Sequence, residues 1–556
     1  MKKYFLYILV IFIFLNAAKI SVIENFIIND SFNFPADKLI WYRLASYLIL
    51  NTFIFIGFLK FKKQYLMMLF FILQTTYIFI HFSYFLYFKD ILHMQQILTQ
   101  YKEGIEIFKH FAVPGDKRYF IILLDLPLFL FVMLNFSAYR DFFVTNSKRF
   151  RMRRMLSIVC FIFLLPYFGK PNVLAVYKEA ASYKDEKQIL KTCGLFACNL
   201  REMMFLNYQD RVISNLEYGK AVVFKNEKNA DLKNIICVQV EALDAGVVNA
   251  MYKGQYVAPF LHSLSSECVY YPYMLSYCNA GATSDIEFSV INNQLPPEKF
   301  PYYSLTKYNY QNSIVKKLNM KGYTAFAFHN NDGSFFNRTD SFQKMGFTRF
   351  YDVFSMGLKE YGWGAKDEDV FNYVKGKLSE PKKPLFYYII TMSSHEPYGS
   401  VRKYYKNNLY DDIGNKVLKD YFNSISYVDM ALKDLVLFIK NNVDDAYIFI
   451  FGDHHCNVRN SPLFKRAVIN YDCNKRAVPL FIVTPYDKKY SEATRVASML
   501  DLGYTMLCAS GADFEIKTIG INLLDVPISE KQIILKDGQA ENRIKLFILF
   551  NKVINE

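Results

Sequence analysis

Four apolar segments in the second half of the chain end on side chains that can hold a metal ion or move a proton. NIICVQVEAL carries Glu241, YTAFAFHN carries His329, LFYYIITMSSH ends on His395, and AYIFIFGDHH ends past Asp453 and His454. The chain has only eight histidines, and four of them (His329, His395, His454, His455) lie at these segment ends. Glu241 and Asp453 offer hard oxygen donors and His454 a borderline nitrogen. That mixture suits a divalent cation, manganese first and zinc or magnesium after it, better than it suits a thiolate-bound metal. A hydroxyl set among such ligands would be acidified and become a nucleophile near neutral pH. Thr283, in AGATSDIEF at 280–288, is the candidate, because the small residues before it let backbone pass close to an ion. Read alone, this segment is better explained as a helix start, with Thr283 as its cap and Asp285 and Glu287 supporting it through the helix dipole. Joined to the strand-end ligands, Thr283 reads as the nucleophile.

The elements that position these residues are legible too. The four segments, and VPLFIVTP after them, have strand length and near-continuous apolar character. Between them lie helical stretches at 308–320, 366–378 and 418–441. Such alternation predicts an α/β domain, a mostly parallel sheet flanked by helices. In open sheets of this kind, ligands bind beyond the carboxyl ends of the strands, where all four segments deliver their polar side chains.

The first 170 residues have a different texture. Five apolar runs, at about 4–22, 44–59, 65–87, 119–138 and 155–169, approach the length needed to cross a ~30 Å hydrocarbon core. Lys2 and Lys3, then Lys60, Lys62 and Lys63, then Arg140, Lys148, Arg149, Arg151, Arg153 and Arg154 mark the loops that stay cytoplasmic. Five crossings place everything after Lys170 outside the cytoplasm. Asp125, inside the fourth run, is either a functional group or a wet, near-interface one. Of the net charge of +15, eleven units fall within residues 1–170, so the basic excess is a topology signal and a nucleic-acid partner loses its support. The expected organisation is a five-helix transmembrane domain (1–170), a helical connector at the membrane surface (171–230) and an exported domain (231–556). Of the nine cysteines, Cys160 falls in the fifth run. Cys193 with Cys198, and Cys268 with Cys278, are possible disulfides, while Cys237 reads as a buried free thiol.

GATSDIEF, an upstream strand ending in Glu241 and the downstream GDHH together resemble the lipoteichoic acid synthase and phosphoglycerol transferase family, within the alkaline phosphatase and sulfatase superfamily. HNNDGSFFNRTDSFQKMGFTRFYD at 329–352 and five runs before an exported domain extend the resemblance over nearly the whole chain. The resemblance implies that Glu241, Thr283, Asp453 and His454 bind the metal and that Thr283 is the nucleophile. Arg338, His395, His329 and Phe336 would then contact the substrate, Arg338 gripping two phosphate oxygens. It also implies a multi-pass protein of the cell membrane, with its catalytic domain periplasmic or extracellular. That enzyme would move phosphoglycerol from phosphatidylglycerol to a glycan or polymer acceptor through a phospho-threonine. Three positions depart from the family pattern: Phe336 stands for Trp, Asn331 for Asp, and Ala282 for the Lys before the nucleophile. These leave the head group open, with a phosphoethanolamine transferase acting on lipid A or a glycan as one alternative and a non-catalytic sensor module as another.

Overall fold

The computed structural model describes residues 2–29, 39–88, 117–139, 194–204, 220–225, 231–278, 283–297, 301–305, 307–380, 384–460, 477–486, 490–491, 497–525, 532–534 and 540–542, together with Leu92, Ile97, Leu190, Ile213 and Gly281. The chain separates into two compact units, residues 1–101 with 111–207, and residues 102–110 with 208–556.

The first unit is helical. Helices α1 (Lys2–Asn29), α2 (Leu39–Lys60) and α3 (Gln64–Phe88) cover the first three apolar runs. The fourth run is broken. A 3₁₀ turn over Lys117–Leu123 passes through Asp125 into α4 (Leu126–Leu134), with a proline at its start. The fifth run, with Cys160, lies outside the described residues, as does most of 171–230, in which α5 (Leu195–Met204) is seen. Among the described residues two helices, Tyr7–Ile28 and Gln64–Leu86, are long and apolar enough to cross a membrane, while Tyr47–Leu59 and Tyr119–Leu134 are apolar but shorter. The five-span expectation therefore stands at two candidate spans here.

Polar side chains buried in this unit find each other. Lys19 donates to both carboxylate oxygens of Asp125 at 2.8 and 2.9 Å. Asn16 donates to Asp125 at 2.6 Å and to Gln74 at 3.0 Å, Asn51 donates to Asn16, and Gln74 donates back to Asn51. Asp125 is fully buried, so the wet-interface reading of it is set aside. Its carboxylate occupies a helix N-cap yet turns away from its own helix, because a buried ammonium is the stronger partner.

The second unit is built on a sheet. Strand β1 (Lys220–Phe224) pairs with a distant partner given below. The central strand β2 (Asn234–Val240) is followed by the short hairpin β3 (Met251–Tyr252) and β4 (Gln255–Tyr256). Then come α6 (Pro259–Glu267), β5 (Val269–Leu275), α7 (Thr283–Asn292), α8 (Ile314–Asn319), β6 (Thr324–His329), α9 (Arg338–Met345) and β7 (Arg349–Tyr351). The chain continues through α10 (Asp367–Leu378), β8 (Leu385–Ile390), α11 (Lys416–Asn442), β9 (Ala446–Gly452) and β10 (Ala477–Val483). Short strands β11 (Tyr490–Ser491) and β12 (Ala497–Ser498), helix α12 (Met499–Ala509) and β13 (Phe514–Thr518) follow, and a last hairpin joins β14 (Gln532–Ile534) to β15 (Ala540–Asn542). The main sheet runs β11-β5-β10-β9-β2-β8-β6-β7, with β12 also on β5, and β1 pairs with β13 apart from it.

The pairs β9-β2, β2-β8, β8-β6 and β6-β7 are parallel, as expected. Strand β10, the VPLFIVTP segment, is antiparallel to both neighbours. Its apolar run signalled burial on both faces, which carries no information about direction. Strand β5 holds Pro272, and its ladder with β10 slips register there, since proline has no N–H to donate. Alternate residues of β2 feed two cores. Ile235 and Cys237 pack with Ile286 and Phe288 of α7 and Met506 of α12. Ile236, Val238 and Val240 pack with α10 and α11. Helix α11 shows why it forms. Asn415 caps it through Val417 and Leu418 N–H, and Leu418, Phe422, Ile425, Leu432, Leu435 and Ile439 make a buried stripe at helical spacing.

Candidate metal centre and active site

Strands β9, β2, β8 and β6 lie side by side and end at one edge. Glu241 directly follows β2, its N–H held by Thr391 Oγ1 at 3.0 Å and its carbonyl by Ser394 Oγ at 2.5 Å. Asp453 and His454 directly follow β9. Gly452 allows this approach: a Cβ there would lie 2.1 Å from the Leu243 carbonyl oxygen. Asp453 Oδ1 accepts from the N–H groups of Ala242 (2.8 Å) and His454 (2.6 Å), which fixes its carboxylate against the end of β2.

Thr283 is the first residue of α7. Its hydroxyl does not bond its own helix. It lies 3.2 Å from Glu241 Oε2 and 3.4 Å from His454 Nε2. Gln239, on β2, donates to the Thr283 carbonyl at 3.4 Å. Helix support comes instead from Asp285, whose Oδ2 accepts from Gly281 N at 3.0 Å, and from Ser284, whose hydroxyl bonds the Gly281 carbonyl at 2.7 Å. The room made by Gly281 is filled by these two side chains, since a Cβ there would be 2.3 Å from Asp285. The glycine therefore serves the helix start and not an approach to an ion. Ala280 and Ala282 lie outside the described residues.

Glu241, Asp453 and His454 bring one donor atom each within 4.8 Å of one another. His454 Nε2 is 3.3 Å from Glu241 Oε1 and 3.6 Å from Asp453 Oδ2. Separations of 3.2–3.6 Å match the edges of a tetrahedron drawn around a cation with ligands at ~2.1 Å. Asp453 Oδ2 is buried and has no hydrogen-bond partner, the state of an acceptor waiting for a cation. His454 Nδ1 lies 3.1 Å from the His455 carbonyl, which puts the proton on that nitrogen and turns the Nε2 lone pair to the cluster. Burial and the neighbouring Glu241 push the Asp453 carboxyl up. His454 is pushed up by Asp453 and Glu241 against its own burial, while Glu241 is pulled down chiefly by His454, again against burial. The cluster thus holds protons that a cation would replace. Cys278 is close by but is not one of the residues whose donor atoms converge, so the donor set is oxygen and nitrogen. These residues fit a divalent ion.

The expected substrate residues divide. His329 is buried, with Nδ1 3.2 Å from the Ile390 carbonyl and Nε2 without a partner. Burial, then Arg338, holds it well below the usual histidine range, so it is neutral and its Nε2 can accept a hydrogen bond from a hydroxyl. Phe336 stacks on Tyr303 at 4.9 Å and lies under the Arg338 guanidinium. Phe336 and Asn337 both have positive φ, 59° and 46°, a strained entry to α9. Arg338 departs from expectation. Its Nε and Nη2 both donate to Glu287, at 3.0 and 2.7 Å, and the pair is almost wholly buried. The fork expected on phosphate is taken by a carboxylate, because a buried guanidinium needs a fixed counter-charge. Glu287 is correspondingly not a helix-dipole residue, and it also accepts from Tyr302 at 3.1 Å.

His395 is half-buried against Trp363, ring centroids 4.8 Å apart, with Nδ1 2.6 Å from the Glu396 carbonyl. Glu396, which sequence reasoning passed over although it adjoins His395, places Oε2 on the Asn457 side-chain amide. Burial raises its carboxyl, opposed by His395, Asn457 and His454. Cys268 and Cys278 are free thiols, as are Cys198 and Cys237. The Cys268–Cys278 disulfide is not formed. Cys193 lies outside the described residues.

A model of the sulfatase family matches residues 233–512. Lipoteichoic acid synthase 2 of Bacillus subtilis is 25% identical over 512 residues, covering 83% of this chain and 75% of that one. Lipoteichoic acid synthase of Staphylococcus saprophyticus is 26% identical over 397 residues, 67% of this chain, and the chain spans 60% of that relative's length. Among solved structures, the integral membrane lipooligosaccharide phosphoethanolamine transferase A of Neisseria meningitidis superposes with a TM-score of 0.56 at 15% identity, over 90% of this chain and 95% of that one. This last likeness is one of fold.

Proposed function

The chain belongs to the sulfatase family and is lipoteichoic acid synthase-like, and from that premise we propose that it is a membrane-bound, metal-dependent phosphotransferase. It moves phosphoglycerol from phosphatidylglycerol to a glycan or polymer hydroxyl. The observation that carries this reading is the Thr283 hydroxyl, turned out of its own helix toward Glu241 and His454. Glu241, Asp453, His454 and Thr283 would hold the ion, manganese first among the candidates. When bound, it acidifies the Thr283 hydroxyl and offsets charge on the phosphoryl oxygens.

Thr283 Oγ attacks phosphorus, diacylglycerol departs, and the phosphoglycerol rests on Thr283 until an acceptor hydroxyl takes it. His454 keeps its Nε2 toward the cluster through the His455 carbonyl. The unpartnered His329 Nε2 accepts a hydroxyl of the head group. Arg338, locked by Glu287, holds Phe336 in place. The apolar N-terminal helices anchor the enzyme in the cell membrane, with five spans in residues 1–170 and the catalytic domain, 231–556, outside the cytoplasm. An exported reporter fused after Lys170 checks that topology.

The chemistry is tested by incubating the purified protein with manganese and phosphatidylglycerol and mapping the adduct by mass spectrometry. A phosphoglycerol mass is expected on the peptide holding Thr283 and none in Thr283→Ala. An adduct on another residue, or an active Thr283→Ala protein, overturns the mechanism. A phosphoethanolamine adduct, formed only with phosphatidylethanolamine, changes the head group and keeps the chemistry.

A further inference from the structure

We propose that Asp367 is a positioning residue for the metal centre, holding the loop after β8 in the shape that fixes Glu241. The inference rests on the metal-centre reading above.

Asp367 opens α10, where an acidic side chain ordinarily serves its own helix. Its carboxylate makes no bond there. Oδ1 accepts from Asn330 Nδ2 at 2.7 Å and from Met392 N at 2.9 Å, and the Ser393 N–H lies 3.3 Å from each carboxylate oxygen. The Asp367 N–H donates in return to Ser393 Oγ at 3.2 Å, and the Tyr404 hydroxyl donates to the same oxygen at 3.2 Å. Asp367 is fully buried, and no cationic side chain pairs with it among the described residues. Burying a carboxylate costs desolvation. Here that cost is offset by amide donors drawn from two strand ends, those of β6 and β8.

The loop after β8 alternates between two partners. Thr391 and Ser394 hold Glu241, one hydroxyl accepting its N–H at 3.0 Å and the other donating to its carbonyl at 2.5 Å. Met392 and Ser393, between them, are held by Asp367. Glu241 is the first residue past β2, so the sheet ladder no longer fixes it and the two loop hydroxyls take over. Without the Asp367 carboxylate, the Met392 and Ser393 N–H groups would be buried with no acceptor. The loop would have to shift to satisfy them, and Thr391 and Ser394 would move with it. Asn330 extends the same hold to the β6 end, directly after His329.

Asp429 provides a matched control. It is a buried carboxylate on α11 that accepts from Phe260 N at 2.9 Å and Leu261 N at 2.8 Å, and burial pushes both carboxyls up to about 6. Its partners lie on α6 and not on a strand-end loop.

The experiment titrates the full-length parent, Asp367→Asn and Asp429→Asn with manganese by calorimetry, and takes the melting temperature of each without metal. Both substitutions should lower the melting temperature to a similar extent. Only Asp367→Asn should weaken manganese binding, by about 10–100-fold. Asp367→Glu keeps the charge but displaces it by one methylene, and it carries the same expectation should Asp367→Asn not fold. Thr391→Val, which removes the acceptor of the Glu241 N–H, should also weaken binding. Combined with Asp367→Asn, its loss should fall short of the product of the two, since both act through one loop. Equal affinity in the parent and the Asp367 variants overturns the proposal. So does an equal loss in Asp429→Asn, which would make the effect one of general destabilisation. A parent that binds no manganese, zinc or magnesium overturns the metal-centre reading itself, an outcome distinct from a parent that binds with its variants equal to it.

Discussion

Two buried clusters of ionisable side chains in this molecule end in opposite states. In the helical unit, Lys19, Asp125, Asn16, Asn51 and Gln74 close on one another, and an ammonium faces a single carboxylate. At the sheet edge two carboxylates face one imidazole, and Asp453 Oδ2 is left without a donor. Both clusters carry the desolvation cost of burial. Only the first contains its own compensation. A closed cluster is there to hold helices together, whereas an open one is completed by something the chain does not supply. The difference teaches that a buried charge cluster signals function through what it lacks. Composition alone does not distinguish the two.

The largest effect expected from this contrast is at Thr283. Thr283→Ala should lower turnover by roughly 10⁴–10⁶-fold while the melting temperature moves little, because the hydroxyl serves the open cluster and not its helix. A variant that unfolds with its activity would make the open cluster structural after all. Next is the closed cluster. Lys19→Met should destabilise the helical unit by about 3–5 kcal/mol, and Lys19→Met with Asp125→Leu should recover most of that. Denaturation in detergent, followed by helical circular dichroism, reads both. Should the single variant cost nothing, the pair is not the lock described. Arg338→Ala tests the closed pair beside the open centre, with a stability loss of about 3–5 kcal/mol from stranding Glu287. Retained stability with weakened phospholipid binding would return Arg338 to the substrate.

The smallest effect is a pH dependence. Asp453 and His454 both have folded-state values raised above their unfolded ones. Their contribution to the metal-free protein is therefore present at low pH and is lost as pH rises through the raised values. A cation displaces those protons, so its stabilisation should grow with pH. The manganese-induced rise in melting temperature should be larger at mildly alkaline than at mildly acidic pH, and calorimetry in buffers of different ionisation enthalpy should register proton release. An equal rise at both pH values would mean that the cluster is already deprotonated.

Much of the site could be read in the sequence because strand ends are local signals. Glu241, His329, Asp453 and His454 each follow an apolar run directly, and a parallel sheet aligns such ends whatever the loops between them do. The partner of Arg338 could not be read this way: Glu287 is 51 residues distant, and nothing local distinguishes it from Asp285 two positions earlier. Strand β5 was hidden by Pro272, which interrupts its pattern, and β10 gave its burial but not its direction. The thiols at Cys268 and Cys278 looked paired only because they are near in sequence. One ends α6 in the core, just before β5, and the other leans on Ser276 beside the Glu241–Asp453–His454 cluster.

The distance along the chain between Thr283 and the histidine that faces it has a consequence for timing. The two lie 171 residues apart. At synthesis rates of about 5–20 residues per second, roughly 9–34 s separate the emergence of Thr283 from that of His454. Through that interval the emerging chain carries a threonine of ordinary reactivity, because β9 must join β2 before Asp453 and His454 reach it. In the proposed reaction, then, reactivity waits on the order in which the ribosome delivers the strands.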